Sequence, residues 1–167
     1  MELRPLGPAD APAFQEIRLD ALRDTPSAFS SSYEEECDTP LATVAGRLAA
    51  KPDRCVIGAF ENGRLIGVAG LRREGPAKLA HKAVLWGVYV APDARRRGAG
   101  RKLLARTLDE ATSMPGLRQV NLSVNSANAA AVALYEALGF TSFGLERGYL
   151  KVDGVLYDEL HMVRLLP

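Results

Sequence analysis

The spacing of apolar residues changes character near residue 54. Before it, "ELRPL" (residues 2–6) predicts a short strand, and helical periods follow. Phe14, Ile17, Leu19 and Leu22 form an approximate stripe at three- to four-residue spacing. That stripe predicts a helix within residues 7–26, with Pro26 beyond its end. Residues 27–38 are polar and irregular, with room for a helical turn. Thr39 and Pro40 read as the N-cap and first-turn residue of a second helix, "LATVAGRLAA", which Pro52 stops.

From residue 54 onward most apolar runs have strand length. "RCVIGAFE" and "RLIGVAGLRRE" flank Asn62-Gly63, a strong hairpin signal. "GPAKLAHK" reads as a loop, and "AVLWGVYV" as a strand buried on both faces. The helix after it points Leu103, Leu104, Leu108 and Ala111 inward, and "LRQVNLSV" puts Val120, Leu122 and Val124 on one face. "NAAAVALYEALG" predicts an alanine-rich helix ending at Gly139 as C′ residue. "TSFGLERGYLKV" and "VLYDELHMVRLL" close as a hairpin around Asp153-Gly154. The order β-α-α-β-β-β-α-β-α-β-β predicts one α/β domain over residues 1–167, a mixed sheet with helices on its faces.

Composition narrows the function. With 47% hydrophobic residues in 167, the chain can bury a sizeable core. Net charge is +1, so no global field recruits nucleic acid or an anionic membrane, and a basic cluster needs a local anion as its partner. Cys37 and Cys55 form no CxxC and complete no familiar zinc spacing with His81 and His161, so no metal is expected. Isolated cysteines, an N-terminus unlike a signal peptide and no apolar run of membrane-spanning length predict a cytoplasmic protein.

The basic cluster is "DARRRGAGRKLL", residues 93–104, placed between an apolar strand and an amphipathic helix. Gly98, Ala99 and Gly100 let the backbone turn and let a ligand approach closely. The first N–H groups of a helix have no internal partners, and the helix dipole adds positive charge there. Arg95, Arg96, Arg97 and Arg101 surround this point, so a phosphate or pyrophosphate fits. The stretch is neither GxxxxGK[ST] nor GxGxxG.

"VAPDARRRGAGRKLL" and "NLSVNSANAAAVALYEALGF" together resemble motifs A and B of the GNAT superfamily of acetyl-coenzyme A-dependent N-acyltransferases. The order of the remaining elements extends the resemblance over essentially the whole chain. It implies a GNAT fold: a largely antiparallel sheet of about seven strands flanked by about four helices. It implies acetyl-CoA as acyl donor and an amine as acceptor. Backbone N–H groups from Arg96 to Arg101 would hold the pyrophosphate. The main chain of Val88, Tyr89 and Val90 would pair with the pantetheine arm, Asn128 would contact its amide, and Tyr135 would sit near the sulfur. Helix geometry agrees for the last pair, since seven residues span roughly 10 Å along one face.

Acyl transfer needs a proton for the leaving thiolate, and Tyr135 is the candidate acid. A base is harder to place, because "HKAVLWGVYV" contains no acid. Glu34, Glu35, Glu36, Asp158 and Glu159 remain candidates and none is assigned. Phe29, Tyr33 and Trp86 are candidate walls of an acceptor pocket. The acceptor's identity stays open: a small amine, an amino acid, an antibiotic, or a protein N-terminus or lysine. A homodimer and a non-catalytic acyl-CoA-binding module also stay open, whereas few aromatics interleave the arginines, which disfavours a nucleic-acid partner.

Overall fold

The computed structural model describes residues 1–167. Strand β1 (Glu2–Pro5) precedes helices α1 (Ala11–Asp24), α2 (Tyr33–Glu36) and α3 (Leu41–Leu48). Strands β2 (Arg54–Glu61), β3 (Arg64–Arg73) and β4 (Lys82–Val90) follow, then helix α4 (Ala99–Ser113) and strand β5 (Gln119–Asn125). Helix α5 (Ala129–Ala137) and strands β6 (Thr141–Val152) and β7 (Val155–Leu165) complete the chain. One seven-stranded sheet runs in the order β1-β2-β3-β4-β5-β7-β6. Only β4 and β5 are parallel neighbours.

Each face of the sheet buries its own core. Phe14, Ile17 and Leu22 of α1 pack with Val44 and Leu48 of α3 against Val56, Phe60 and Val68. On the other face Leu103, Leu104, Leu108 and Ala111 of α4 pack with Val120, Leu122 and Val124 of β5, the residues the periodicity selects. Both hairpin expectations hold. Asn62 and Gly63 have φ of 51° and 79°, and Asp153 and Gly154 have 48° and 81°, the pair of positive values that a type I′ turn requires.

Three local expectations are corrected. A single 3-10 turn, Pro8–Asp10, precedes α1, whose α-helical part begins at Ala11. Thr39 does not cap α3: Pro40 occupies the cap position, with no side-chain bond to the helix. Strand β4 is not buried on both faces, because Trp86 is exposed, its indole lying across Gly70, where a Cβ would stand 2.2 Å from the ring.

The sheet opens at its centre. Strands β4 and β5 pair only through Lys82–Val84 and Gln119–Asn121. Beyond that, β4 continues beside β3 to Val90, while β5 continues beside β7 to Asn125. A register shift puts the extra residue at Gly87, whose φ is +61°. A bulge of this kind bends and twists its strand away from a neighbour.

Cys55 sits in β2 with its thiol pushed up to about 11 by burial, with Glu110 adding to the rise and Arg106 opposing it. Little thiolate forms at pH 8, and thiolate is the reactive species. Iodoacetamide should therefore label Cys37 first in the folded chain, with Cys55 at least about tenfold slower. In denaturant the two should converge. Equal rates in the folded chain would contradict this placement.

Candidate active site

The turn that joins β4 to α4 is built from main chain. No N–H from Arg96 through Arg101 donates to a protein acceptor; the first that does is Lys102, to Gly98 O at 3.1 Å. Gly98 has φ +78° at the N-cap of α4, and a Cβ there would meet nothing within 4 Å. Six consecutive unpaired donors at a helix start form an anion cradle. Gly100 lies at the junction behind it: a Cβ there would stand 3.5 Å from Leu134 of α5 and 3.7 Å from Val90 of β4. Ala99 is buried in the core and anchors the helix start.

The arginines divide into two kinds. Arg96 and Arg101 enter no ion pair and remain available to an anion. Arg95 and Arg97 do not supply mobile charge, contrary to expectation. Arg95 donates to Val90 O and Asp24 and covers the Tyr89 ring, while Arg97 pairs with Glu61 at 2.9 Å. Their role is to brace the turn.

The edge of β4 is only partly as expected. Ala91 N donates to Ile66 O of β3, so alternation turns Tyr89 main chain toward β3 as well. Tyr89 therefore cannot offer its backbone to a ligand in the opening. Val90, one residue away, points its N–H there. Val88 follows the bulge at Gly87, where regular alternation is interrupted.

Helix α5 faces this opening from the α4 side. Asn128 caps it, accepting from Ala131 N at 3.1 Å. Tyr135 is the one buried residue of the helix, its ring edge-on to Phe140 at 5.8 Å. Its hydroxyl makes no hydrogen bond within the chain, yet it is not among the sealed unpartnered atoms, so the oxygen keeps access to a ligand. Burial pushes its phenol up to about 12.

The α1 side of the opening carries what the sequence left unassigned. Phe29 is buried, beneath the Arg18 guanidinium at 4.8 Å; Tyr33 is half-buried beneath Arg23 at 4.0 Å. Of the three wall candidates Trp86 is the most exposed. Glu36 pairs with Arg18 through two bonds of 3.0 and 2.8 Å, and although burial pushes its carboxyl up, the guanidinium outweighs this and holds it below the usual range. Glu35 is engaged in a capping box with Ser32, and Asp158 accepts from Gly148 N. Glu159 differs: its Oε2 is sealed without a partner. Burial raises its carboxyl, which His161 partly offsets and Glu146 reinforces. A chain the sequence did not suggest runs beside it, Ser123 Oγ to His161 Nδ1 at 2.8 Å and His161 Nε2 to Glu146 at 3.0 Å. Register alone could have found it, since Ser123 stands opposite His161 across β5–β7. A separate open cleft of about 620 Å³ lies between α1 and the β2–β3 turn, lined by Glu16, Asp20, Arg64 and Asp93, away from Tyr135.

Comparison with known proteins bears on this arrangement. The sequence model of the acetyltransferase (GNAT) family matches residues 14–140. A [ribosomal protein bS18]-alanine N-acetyltransferase of Salmonella typhimurium is 44% identical over 68 residues, 41% of this chain and 45% of that one. N-alpha-acetyltransferase RimI of Mycobacterium tuberculosis is 39% identical over 108 residues, 65% of each chain. The chain thus spans between 45% and 65% of these two relatives' own length. L-amino acid N-acyltransferase MnaT of Escherichia coli is 33% identical over 141 residues, 84% of this chain and 79% of that one. The structure of yncA from Salmonella typhimurium with its cofactor acetyl-CoA superposes with a TM-score of 0.83 at 27% identity, covering 100% of this chain and 94% of that one. The family match runs through the opened β4 edge, the donor turn and α5 alike, and the chain belongs to the acetyltransferase (GNAT) family.

Proposed function

We propose that this chain transfers an acetyl group from acetyl-CoA to an α-amino group, with Tyr135 protonating the departing sulfur. The carrying observation is the run of unpaired N–H groups from Arg96 to Arg101 at the foot of the opened strand. It fits a pyrophosphate, with Arg96 and Arg101 adding charge. The free N–H of Val90 fits a pantetheine amide, and Asn128 and Tyr135 fit the far end of the arm. Acetyl-CoA supplies the acyl carbon as a thioester, already activated toward an amine. The protein holds it extended along β4, excludes water with the α4–α5 core, and keeps the Tyr135 proton in place. The two free cysteines suit the cytoplasm as the place of reaction.

An α-amine is favoured on two grounds. The relatives' names specify an alanine, an N-alpha position and an L-amino acid. Strand β4 also carries no acid. A lysine-type amine has pKa near 10.4, against about 7.7–8.0 for an α-amine, so its first proton costs about 3–4 kcal/mol more to remove at pH 7. A panel of α-amines and matched alkylamines, read as thiol release from acetyl-CoA, tests this. The α-amines should win clearly at pH 7, with rates rising with pH and levelling near the acceptor's own pKa. A clear preference for the alkylamines would contradict the acceptor class. No turnover with any amine, despite CoA binding, would leave a non-catalytic binding module.

A further inference from the structure

Three polar side chains join across β5, β7 and β6. Ser123 Oγ lies 2.8 Å from His161 Nδ1, and His161 Nε2 lies 3.0 Å from Glu146 Oε2. The acidic end fixes the polarity of this chain. An ionised carboxylate only accepts, so Nε2 carries the ring proton and Nδ1 keeps its lone pair. Ser123 must then donate to Nδ1. Its oxygen lone pairs stay free, and the residue is exposed.

Ser123 stands where β4 and β5 part. Asn121, opposite Val84, is the last residue of β5 that pairs with β4, and Ser123 is the next residue on the same face. Continuing that register brings Trp86 level with Ser123 across the split. Leu122 and Val124, on either side of Ser123, point into the core beneath α4, so Ser123 points to the face on which α1 packs. Tyr135 approaches the same level from the other face. Strand β7 pairs antiparallel with both β5 and β6, so β6 runs parallel to β5, and α5 between them runs back along β5. From Ala129 to Tyr135 the helix returns about 9 Å, close to the length of three strand residues. That sets the phenol near Leu122 and Ser123 rather than at the strand's end.

We propose that Ser123, His161 and Glu146 form a proton relay for acetyl transfer: Ser123 Oγ takes the proton from the acylated nitrogen and hands its own to His161. The proposal rests on the acetyl-transfer reading and assigns the proton acceptor that β4 lacks. The amine still enters neutral, and the relay serves its second deprotonation. A nitrogen that keeps its charge can leave again, so this transfer commits the intermediate.

The proton balance closes. The amine nitrogen forms the C–N bond to the acetyl carbonyl carbon, becoming positively charged, and the C–S bond breaks. Tyr135 gives its proton to sulfur on one face of the sheet. On the other, the nitrogen gives one of its two hydrogens to Ser123 Oγ as the Ser123 proton moves to His161 Nδ1, and keeps the other as the amide hydrogen. His161 then releases a proton to solvent and Tyr135 takes one up, so none is gained or lost overall.

The surroundings favour the imidazolium that this step forms. Glu146 holds Nε2, and Glu159 stands opposite Glu146 across β6–β7. Burial raises the Glu159 carboxyl, and His161 pulls it back. Opposite charges nearby stabilise the charged ring. The other titratable group facing it is Tyr149 of β6, at 6.3 Å, with Phe143 at 6.1 Å. The turn Pro26–Ala28, which packs on β5 and β6, carries no titratable side chain. The relay needs a neutral ring, so it is lost as pH falls and His161 takes up a proton.

The test follows kcat/KM for an α-amine against pH, with the full chain at saturating acetyl-CoA. Two groups must be neutral, the acceptor and His161, so log kcat/KM should climb with a slope of about two at low pH, then about one, then level near the acceptor's pKa. His161→Gln should reduce the steep limb to a slope of about one and lower kcat roughly 10²-fold. Ser123→Ala should fall comparably, and Ser123→Thr, which keeps the hydroxyl, should recover most of the rate. Glu146→Gln should lower kcat about tenfold, the loss of one charged hydrogen bond. His81→Gln, at the other of the two histidines, should keep the native profile. Every variant should keep its thermal stabilisation by coenzyme A, which separates a lost relay from a lost fold. A native slope of one throughout, a steep limb that survives His161→Gln, full activity in Ser123→Ala, or an acetyl group trapped on Ser123 would overturn the relay while leaving acetyl transfer standing. No turnover of any amine by the native chain would instead remove the acetyl-transfer reading beneath it.

Discussion

Replacing Gly98 with aspartate is expected to abolish the thermal stabilisation that coenzyme A gives the folded chain. The residue stands at the N-cap of α4 with φ +78°, and an added Cβ enters open space. Aspartate adopts the left-handed region more readily than most residues, so the unliganded fold should survive. Its carboxylate then stands in the cradle of unpaired N–H groups. Two unit charges 4 Å apart at an effective dielectric of 20 repel by about 4 kcal/mol, on the order of 10³ in affinity. At a coenzyme A concentration of 100 Kd, binding stabilises the native chain by about 2.7 kcal/mol. For a domain of this size that is a shift of roughly 5–10 °C, which Gly98→Asp should erase. Gly98→Asn makes the same backbone demand without the charge and should keep most of it. Unchanged affinity in a folded Gly98→Asp chain would show that the phosphates lie elsewhere.

That site was legible because its chemistry is contiguous. Glycine at a strand-to-helix turn, followed by a helix with Leu103 and Leu104 inward, states both the backbone path and the free donors. What failed there was side-chain assignment. The acids that hold Arg95 and Arg97, Asp24 and Glu61, come from elements far away in sequence. The edge that Tyr89 presents is not legible in sequence, because strand alternation gives neighbouring residues opposite main-chain edges and the phase is set only by pairing with β3.

The carboxylates of the closing strands were illegible for a different reason. Asn125 and Glu159 stand opposite each other only because the sheet order sets β7 between β5 and β6. The closing hairpin adds a second obstacle. Counting outward from Val152↔Val155 puts Glu146 opposite His161, but shifts between Glu146 and Leu150 put Glu146 opposite Glu159 instead. The bulged segment contains Gly148 at φ +63°. A two-residue offset of that kind turns a plain histidine–glutamate pair into opposed carboxylates beside a histidine, and nothing in the periodicity announces it.

Tyr135→Phe is expected to lower kcat by roughly 10²-fold or more, the range for loss of an acid–base group. The magnitude follows from where the phenol sits. At a pKa pushed up to about 12 it keeps its proton throughout the working range, so it is always present as an acid. It is also a weak one: a thiol in water ionises near 8.5, and full transfer to such a thiolate would run uphill. Burial narrows that gap from the other side, because desolvation raises the proton affinity of a thiolate as well. A thiolate departing beside Tyr135 is desolvated by the same core, and its proton affinity rises toward that of the phenol. The transfer then needs only a modest drive, supplied as the acylated nitrogen gives up its own proton. Two further readings follow. Coenzyme A affinity should change by less than about threefold, because one hydroxyl without an internal hydrogen bond is lost. The native pH profile should show no alkaline descent assignable to Tyr135 below pH 10. Full activity in Tyr135→Phe on the preferred acceptor would mean that water, not the phenol, protonates the sulfur.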